Sequence, residues 1–444
     1  MNRWRAALQE LKKYPTAVAG LLLIAFLLGL SAYAVIAIPY RQALELWRGG
    51  EHWQAHPRNA APAWTNLFRR RKLPPTVRLD SVDNGLAEQD ELAGLRRQRI
   101  TLPFTFNYFD FPSEINLFLE TEFTRKTPLL SIRWQTPDGR QIDLGAYRPL
   151  RRQRLSLSQD RELAARLGHP GHIGLMTGSA ESEHPTVLRG DYQVVLEILH
   201  FEPGSQLRAD FIVYGRVHGL AGTDHQRRDL LVALLWGTPI ALLFGLAAAL
   251  GTTLTTLVIA TAGVWYGGRI DAAIQRITEV NMILPLLPVL VMVGTLYSRS
   301  LWLMLAVVVA FGLFSAGVKM YRAMLLPVRR APFVEAAQAY GAGSRRIIFR
   351  YMIPRVLPVL VPAFVTLIPT FVFLEASLAV LGLGDPLLPT WGKILNDAQQ
   401  QSALYNQHYY WVLTPAAMLM LTGLGFALLG FAMDRIFNPR LRSD

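Results

Sequence analysis

Side chains that do chemistry are sparse in this 444-residue sequence. It has no cysteine, which excludes disulfides, thiolate metal ligands and a thiol nucleophile. His169 and His172 flank a Pro-Gly pair, but no carboxylate or third histidine stands at a spacing that would complete a metal site. Gly392-Lys393 is followed by Ile394 and lacks the glycine-rich loop and the Ser/Thr that a phosphate cradle needs. No nucleophile elbow, H-E-x-x-H pattern or paired carboxylates stand out. The reading is a chain with no catalytic residue, no metal and no cofactor of its own. Any energy it uses must come from a partner.

Two constellations remain. The first is Glu335, Ala336, Ala337 and Gly341, followed by Ile353 and Pro354. Pro332 suits the first turn of a helix and Gly341 suits its stop, so a short helix is expected over 332–340. Ala336, Ala337 and Ala339 keep one surface small enough for another protein to approach closely. Ser344 is placed to cap the next helix. The second is Glu375, the one acid well inside an apolar block. An intramembrane carboxylate is costly and functional by default. It either lines or gates a path, or has a structural role with partners such as the Ser377 hydroxyl. Pro285, Pro288, Pro362 and Pro369 interrupt apolar blocks, and mark either packed kinks or a path.

The elements that must position these residues follow from hydropathy. Apolar residues make up 51% of the chain and gather in six blocks, at 17–39, 231–265, 282–297, 301–320, 357–381 and 411–431. About twenty such residues span a bilayer. Ala32-Tyr33-Ala34 imitates a signal-peptidase site, but the first block runs on through Ile38, longer than a usual signal core. It is expected to be a retained span. The net charge of +13 argues for membrane rather than nucleic acid, because much of the excess sits at the block ends. The 321–355 loop carries Arg322, Arg329, Arg330, Arg345, Arg346, Arg350 and Arg355 against Glu335 alone. With loop 267–278, it is assigned to the cytoplasm together with both termini.

Residues 41–229 lack apolar blocks. Period-two alternation over 113–123 reads as a strand. Thr136-Pro-Asp-Gly139 is a turn between expected strands 129–135 and 141–147. A short helix is expected over 158–167 and two further strands over 192–201 and 207–217. Gly190-Asp191-Tyr192 resembles the tyrosine corner of β-sandwiches. The domain core is expected to begin after Pro74-Pro75.

The 335–354 constellation resembles EAA-x3-G-x9-I-x-LP, the cytoplasmic loop signature of ATP-binding-cassette importer permeases, with Tyr351 in the isoleucine position and Ile353 in the leucine position. Gly222-Thr223-Asp224 with Arg228-Asp229 resembles the GTD-x-x-GRD entry of dipeptide, oligopeptide and nickel permeases of the C type, with Arg227 where that family usually has glycine. The run from Glu375 to Gly384, Pro389-Thr-Trp391-Gly392 and Asn438-Pro-Arg-Leu441 resemble further signatures of that family. The resemblance implies a mainly α membrane protein with six transmembrane helices, similar to a type I importer. A β-rich, sandwich-like extracytoplasmic domain, 41–229, is inserted between helices 1 and 2. Residues 1–40 form the first unit and 230–444 a five-helix core with coupling loop 321–355.

It further implies a non-enzymatic permease subunit in a prokaryotic inner or plasma membrane. Its partners would be a B-type permease, two ATPases that hydrolyse ATP with Mg, an extracytoplasmic binding protein and membrane lipid. Peptide is the default solute, with nickel and others open. Glu335, Ala336, Ala337, Gly341, Ile353 and Pro354 would couple to the ATPase. Gly222, Thr223, Asp224, Arg228, Asp229, Glu375, Trp391 and Gly392 would lie near the outer face. The competing readings are a receptor or ectoenzyme acting through 41–229, which shows no catalytic constellation, and an ion-coupled carrier, which would need buried charges along several spans. Orientation is testable because the chain has no native cysteine. A cysteine at Ser205 should react with an impermeant thiol reagent from outside, whereas one at Ser443 should not.

Overall fold

A computed structural model describes residues 14–92, 95–178 and 184–437. The run 438–441 and the probe position Ser443 lie outside the described residues. The chain divides into two compact units. One is Gly49–Leu231, and the other joins the N-terminal 48 residues to Val232–Asp444.

In the helical unit, α1 (Pro15–Ala37) and α2 (Tyr40–Arg48) precede the β-rich unit in the chain. After it come α5 (Leu230–Tyr266), α6 (Gly268–Ile283), α7 (Leu286–Leu296), α8 (Leu301–Gly312), α9 (Ala316–Arg329) and α10 (Pro332–Ala339). The chain ends with α11 (Ser344–Ile347), α12 (Ile353–Leu378), α13 (Trp391–Gln400) and α14 (Tyr409–Phe437). Among the described residues, four helices are long and apolar enough to cross a membrane, or up to six if each bent pair is one span. α11 runs through a π-helical turn into α12, so Ser344–Leu383 is one of the four. Gly20 and Gly425 let α1 and α14 touch: a Cβ on Gly20 would stand 2.8 Å from the Gly425 carbonyl oxygen. Small residues at such crossings allow the close backbone packing on which membrane helices rely.

Two expected spans are broken. α6 and α7 meet at 75° and α8 and α9 at 44°. The first break follows from Pro285, which has no N–H and holds Leu284 extended at ψ 121°. Loop 267–278 is mostly helix instead, because α6 begins at Gly268. Its mixed charges hid a helical period. Pro362 and Pro369 lie inside the continuous α12. Ser344 is the first residue of α11, and the cap position belongs to Gly343, so the expected hydroxyl cap is not made.

The β-rich unit contains β1 (Val77–Asp80), β2 (Leu86–Leu92), β3 (Leu95–Phe106), β4 (Glu114–Glu122), β5 (Leu129–Gln135) and β6 (Gln141–Tyr147). They are followed by β7 (Arg152–Ser156), α3 (Arg161–Leu167), α4 (Gly171–Gly174), β8 (Gly190–His200) and β9 (Gln206–Tyr214). The antiparallel sheets run β1-β9-β4-β7 and β2-β3-β8-β5-β6. Tyr192, Val194, Leu196, Ile198 and His200 alternate inward along β8. They meet Leu117, Phe211 and Val213 of the other sheet in one core around Trp134. The expected hairpin forms with its anticipated strand bounds, and Gly139 takes φ 84° at the turn. Tyr192 donates its hydroxyl to the Leu188 carbonyl four residues upstream, the bond of a tyrosine corner.

β1, β2, β3 and β7 were not anticipated. β3 mixes arginines with apolar residues and contains Pro103, so its pattern is irregular. The unit also begins before Pro74-Pro75: Ala61 and Pro75 both bridge to Val217, and the Gln54 carbonyl accepts the Tyr214 hydroxyl. Ser205 is buried against His200, whereas Gln206 is exposed, so the labelling probe belongs at Gln206.

His200 sits between the Ser205 hydroxyl at 2.6 Å and Gln98 Oε1 at 3.1 Å. Burial, with Arg96 nearby, holds the imidazole down to about 4. Burial and His218 likewise hold His56 at about 4. The unfolded chain therefore binds more protons between about pH 6.5 and about pH 4. Stability is full above that window and falls as the pH drops through it. Residues 49–231 produced alone should show a strand-dominated circular dichroism spectrum and a melting midpoint that decreases across this window. His200→Gln should flatten part of the decrease. A midpoint indifferent to pH would show that these imidazoles do not stay neutral in the fold.

Candidate functional site

α10 carries the first constellation. Pro332 opens it, and Glu335 stands in the first turn, where a carboxylate favours the positive end of the helix dipole. Gly341 closes it at φ 74°, with its amide on the Gln338 carbonyl and the Ala342 amide on the Ala337 carbonyl. This double bond is a Schellman stop, which needs the left-handed conformation that glycine adopts without penalty.

The helix has two faces. Val334 and Ala337 are buried in a cluster with Leu257 and Val264 of α5, Val318, Tyr321 and Leu325 of α9, Ile347 of α11, and Val356 and Leu360 of α12. Ile353 packs partly against the same cluster, while Pro354 is exposed in the first turn of α12. Glu335, Ala336, Gln338, Ala339 and Gly341 face outward, and Tyr340 is 92% exposed. The buried face thus packs the helix against α5, α9 and α12.

Polar struts that were not anticipated brace this region. Arg322 of α9 holds Asp271 of α6 with bonds of 2.7–3.1 Å. Lys319 reaches Glu279 at 3.3 Å, and Arg329 donates to the Val264 carbonyl at 2.6 Å. The signal was available in principle: Lys319 and Arg322 lie three apart on one helical face, opposite acids on α6.

A cavity of about 510 Å³ lies where both broken spans meet α5 and α12. Asn281 donates to the Phe311 and Phe314 carbonyls at 3.1 and 3.2 Å, and Thr256 to the Gly312 carbonyl at 2.7 Å. These carbonyls border the α8–α9 break. Thr252, Thr253, Ser315, Tyr321 and Thr366 add hydroxyls to a lining with no charged side chain. Such a wall offers scattered hydroxyls on a largely apolar surface and no fixed charge.

The second constellation assembles around α13. Glu375 is buried, and its side-chain partner is the Thr390 hydroxyl rather than Ser377, which bonds the Phe373 carbonyl at 2.7 Å. Ser377 stands on the same helix and satisfies its own preceding turn, whereas Thr390 is brought in by the returning chain. Thr390 also caps α13 by accepting from the Lys393 amide at 3.1 Å. Trp391 donates to the Leu234 carbonyl at 3.0 Å, and Asn396 to the Val380 carbonyl at 2.9 Å. A Cβ on Gly392 would come within 2.5 Å of Ala379 Cβ, so α13 seats on α12 only with glycine there.

The 222–229 signature forms a compact turn in the β-rich unit. Asp224 is fully buried, accepts from the Gln226 and Arg228 amides, and pairs with the Arg228 guanidinium. Thr223 donates to the Pro57 carbonyl at 2.7 Å and accepts from the Ala60 amide at 3.0 Å. Gly222 takes φ 79° and its carbonyl accepts from the Leu230 amide. Asp229 caps α5 through the Leu231 amide at 2.9 Å, and burial pushes its carboxyl above the usual range. Arg227 keeps the left-handed conformation, φ 68°, that glycine would favour. Its guanidinium reaches the His56 carbonyl and Glu114 and lies 4.3 Å from the Tyr214 ring centroid, which offsets the backbone cost.

Among the described residues, no group of three or more His, Cys, Asp or Glu could hold a metal ion.

A family model described as a binding-protein-dependent transport system inner membrane component matches residues 241–443. The oligopeptide transport system permease protein OppC of Escherichia coli (strain K12) is 30% identical over 225 residues, 50% of this chain and 72% of that one. The dipeptide transport system permease protein DppC of Bacillus subtilis (strain 168) is 28% identical over 222 residues, 50% of this chain and 68% of that one. The chain belongs to the binding-protein-dependent transport system inner membrane component family, as a multi-pass permease component of an ATP-binding-cassette importer.

Proposed function

We propose that this permease carries peptide, delivered by an extracytoplasmic binding protein, across a prokaryotic inner membrane. It acts with a second, B-type permease and two cytoplasmic ATPase subunits that hydrolyse ATP with Mg. Each bent helix pair counts as one span, giving six, with both termini and loop 321–355 in the cytoplasm and segment 41–229 outside. The basic bias of 321–355 supports that orientation. Peptide as the solute rests on the likeness to OppC and DppC.

The observation that carries the proposal is the two-faced α10. Glu335, Ala336 and Gly341 are exposed for an ATPase cleft, while Val334 and Ala337 root the helix among α5, α9 and α12. Ile353 and Pro354 set the start of α12 and so the angle at which movement reaches it. Glu375, with Trp391 and Gly392, fixes α13 at the outer end of the core, a structural rather than a gating role. The 222–229 turn closes the outer domain in the chain just before α5 begins. The hydroxyl-lined cavity at the two breaks forms part of the solute path.

The test is uptake together with transport-coupled ATP hydrolysis. Gly341→Leu places a β-carbon at φ 74°, at a cost of roughly 1–2 kcal/mol. Both activities should fall by about tenfold, the equivalent of about 1.4 kcal/mol. Gly343→Ala, at an ordinary φ of −66° with open space around it, should stay near wild type. Full coupling in Gly341→Leu at normal membrane abundance would remove α10 as the coupling element.

A further inference from the structure

Residues 62–73 of the β-rich unit form a loop held by several hydrogen bonds. The Asn66 side chain clamps its base, donating to the Leu73 carbonyl at 3.0 Å and accepting from the Leu73 amide at 2.9 Å. The Thr65 hydroxyl bonds the Pro62 carbonyl at 2.7 Å. Trp64 donates its indole N–H to the Leu220 carbonyl at 2.9 Å, and the Ala63 amide bonds the Gly219 carbonyl at 2.9 Å, so the tip is tied to segment 219–220. What this frame presents is apolar. Leu67 is 81% exposed, Phe68 82% and Leu220 68%, with Trp64 edge-on to Phe68.

Arg69, Arg70, Arg71 and Lys72 follow Phe68 directly, and all are exposed. Arg71 lies 5.5 Å from the Phe109 ring centroid. Among the described residues, Arg69, Arg70 and Lys72 form no ion pair with an acid. A solvated loop has no use for ordered, outward Leu and Phe. A protein interface favours an apolar centre depleted of lysine and of clustered charge. An aromatic and aliphatic tip flanked by consecutive cations matches a bilayer surface, where Trp sits at headgroup level and Lys/Arg meet lipid phosphate. Connectivity agrees. The loop follows the α1–α2 segment closely, and Leu220 shortly precedes the apolar helix that opens at Leu230.

We propose that segment 64–72 is an interfacial lipid anchor: Leu67, Phe68 and Leu220 enter the headgroup region of the membrane, and Arg69, Arg70 and Lys72 take the phosphates of anionic lipid. The anchor rests on the membrane embedding of the flanking helices and not on the solute or on the direction of transport.

The test uses the full-length chain with its co-purifying partners in nanodiscs. One set is phosphatidylcholine alone, and the other adds phosphatidylglycerol. Phe68→Cys carries an environment-sensitive fluorophore on the otherwise cysteine-free chain. Leu150→Cys, at the exposed residue just before β7, is the control. The Phe68 label should be blue-shifted and lose most of its emission to lipid-borne spin labels. It should be protected from aqueous iodide, more so with phosphatidylglycerol, while the Leu150 label shows the reverse. Arg69→Glu with Arg70→Glu should abolish the phosphatidylglycerol dependence. A Phe68 label as open to iodide as the control overturns the anchor. So does a label shielded from iodide yet blind to lipid quenchers, which would place a protein on the tip. Lipid quenching that ignores phosphatidylglycerol overturns the phosphate assignment.

Discussion

A helix surrounded by hydrocarbon must satisfy its own peptide groups, and each departure from helical geometry has to be met by another side chain. In the helical unit this requirement decides which elements are bound together. Where α8 gives way to α9, Asn281 and Thr256 take the carbonyls at 311, 312 and 314. At the end of α12 the Val380 carbonyl is met by Asn396. Each of these repairs comes from a different helix, and so ties two helices together at that point. Asn281 and Thr256 also line the cavity at the α8–α9 break, so the side chains that repair that break form part of its wall.

Rigidity around α10 has a similar origin. A helix of this length is marginal alone. Pro332 and the Gly341 stop define its ends, but burial of Val334 and Ala337 holds it in place. The ion pair of Arg322 with Asp271 ties the preceding helix to α6, and the bond from Arg329 to Val264 ties it to α5. The outer face of α10 is therefore free of the packing that holds the helix in place.

The β-rich unit obeys different physics. Its two sheets share one core, and inward residues alternate strictly along β5 and β8. Because the period is two, a slip of one residue would expose Trp134 and Tyr192, which fixes register strongly. Two of the polar inward side chains have clear partners. His200 is satisfied on both ring nitrogens, and Tyr192 ties its hydroxyl back to Leu188.

The local signals were legible in the linear sequence: the apolar blocks, the alternation of β4, β5, β6, β8 and β9, the turn at Pro137–Gly139, and the ends of α10 at Pro332 and Gly341. All of these depend on residues within one or two turns of chain, where period and backbone preference act directly. The signatures at 222–229, 335–354 and 375–392 carried the family resemblance as well. That Glu375 meets Thr390 rather than Ser377 was visible in the fold alone. The fold alone also decided that Arg227 could keep a glycine conformation, and that β3 could be the longest strand despite Pro103 and its arginines. In each case the stabilising partner lies far along the chain or across a sheet. Its contribution arises from desolvation and geometry that no local pattern encodes.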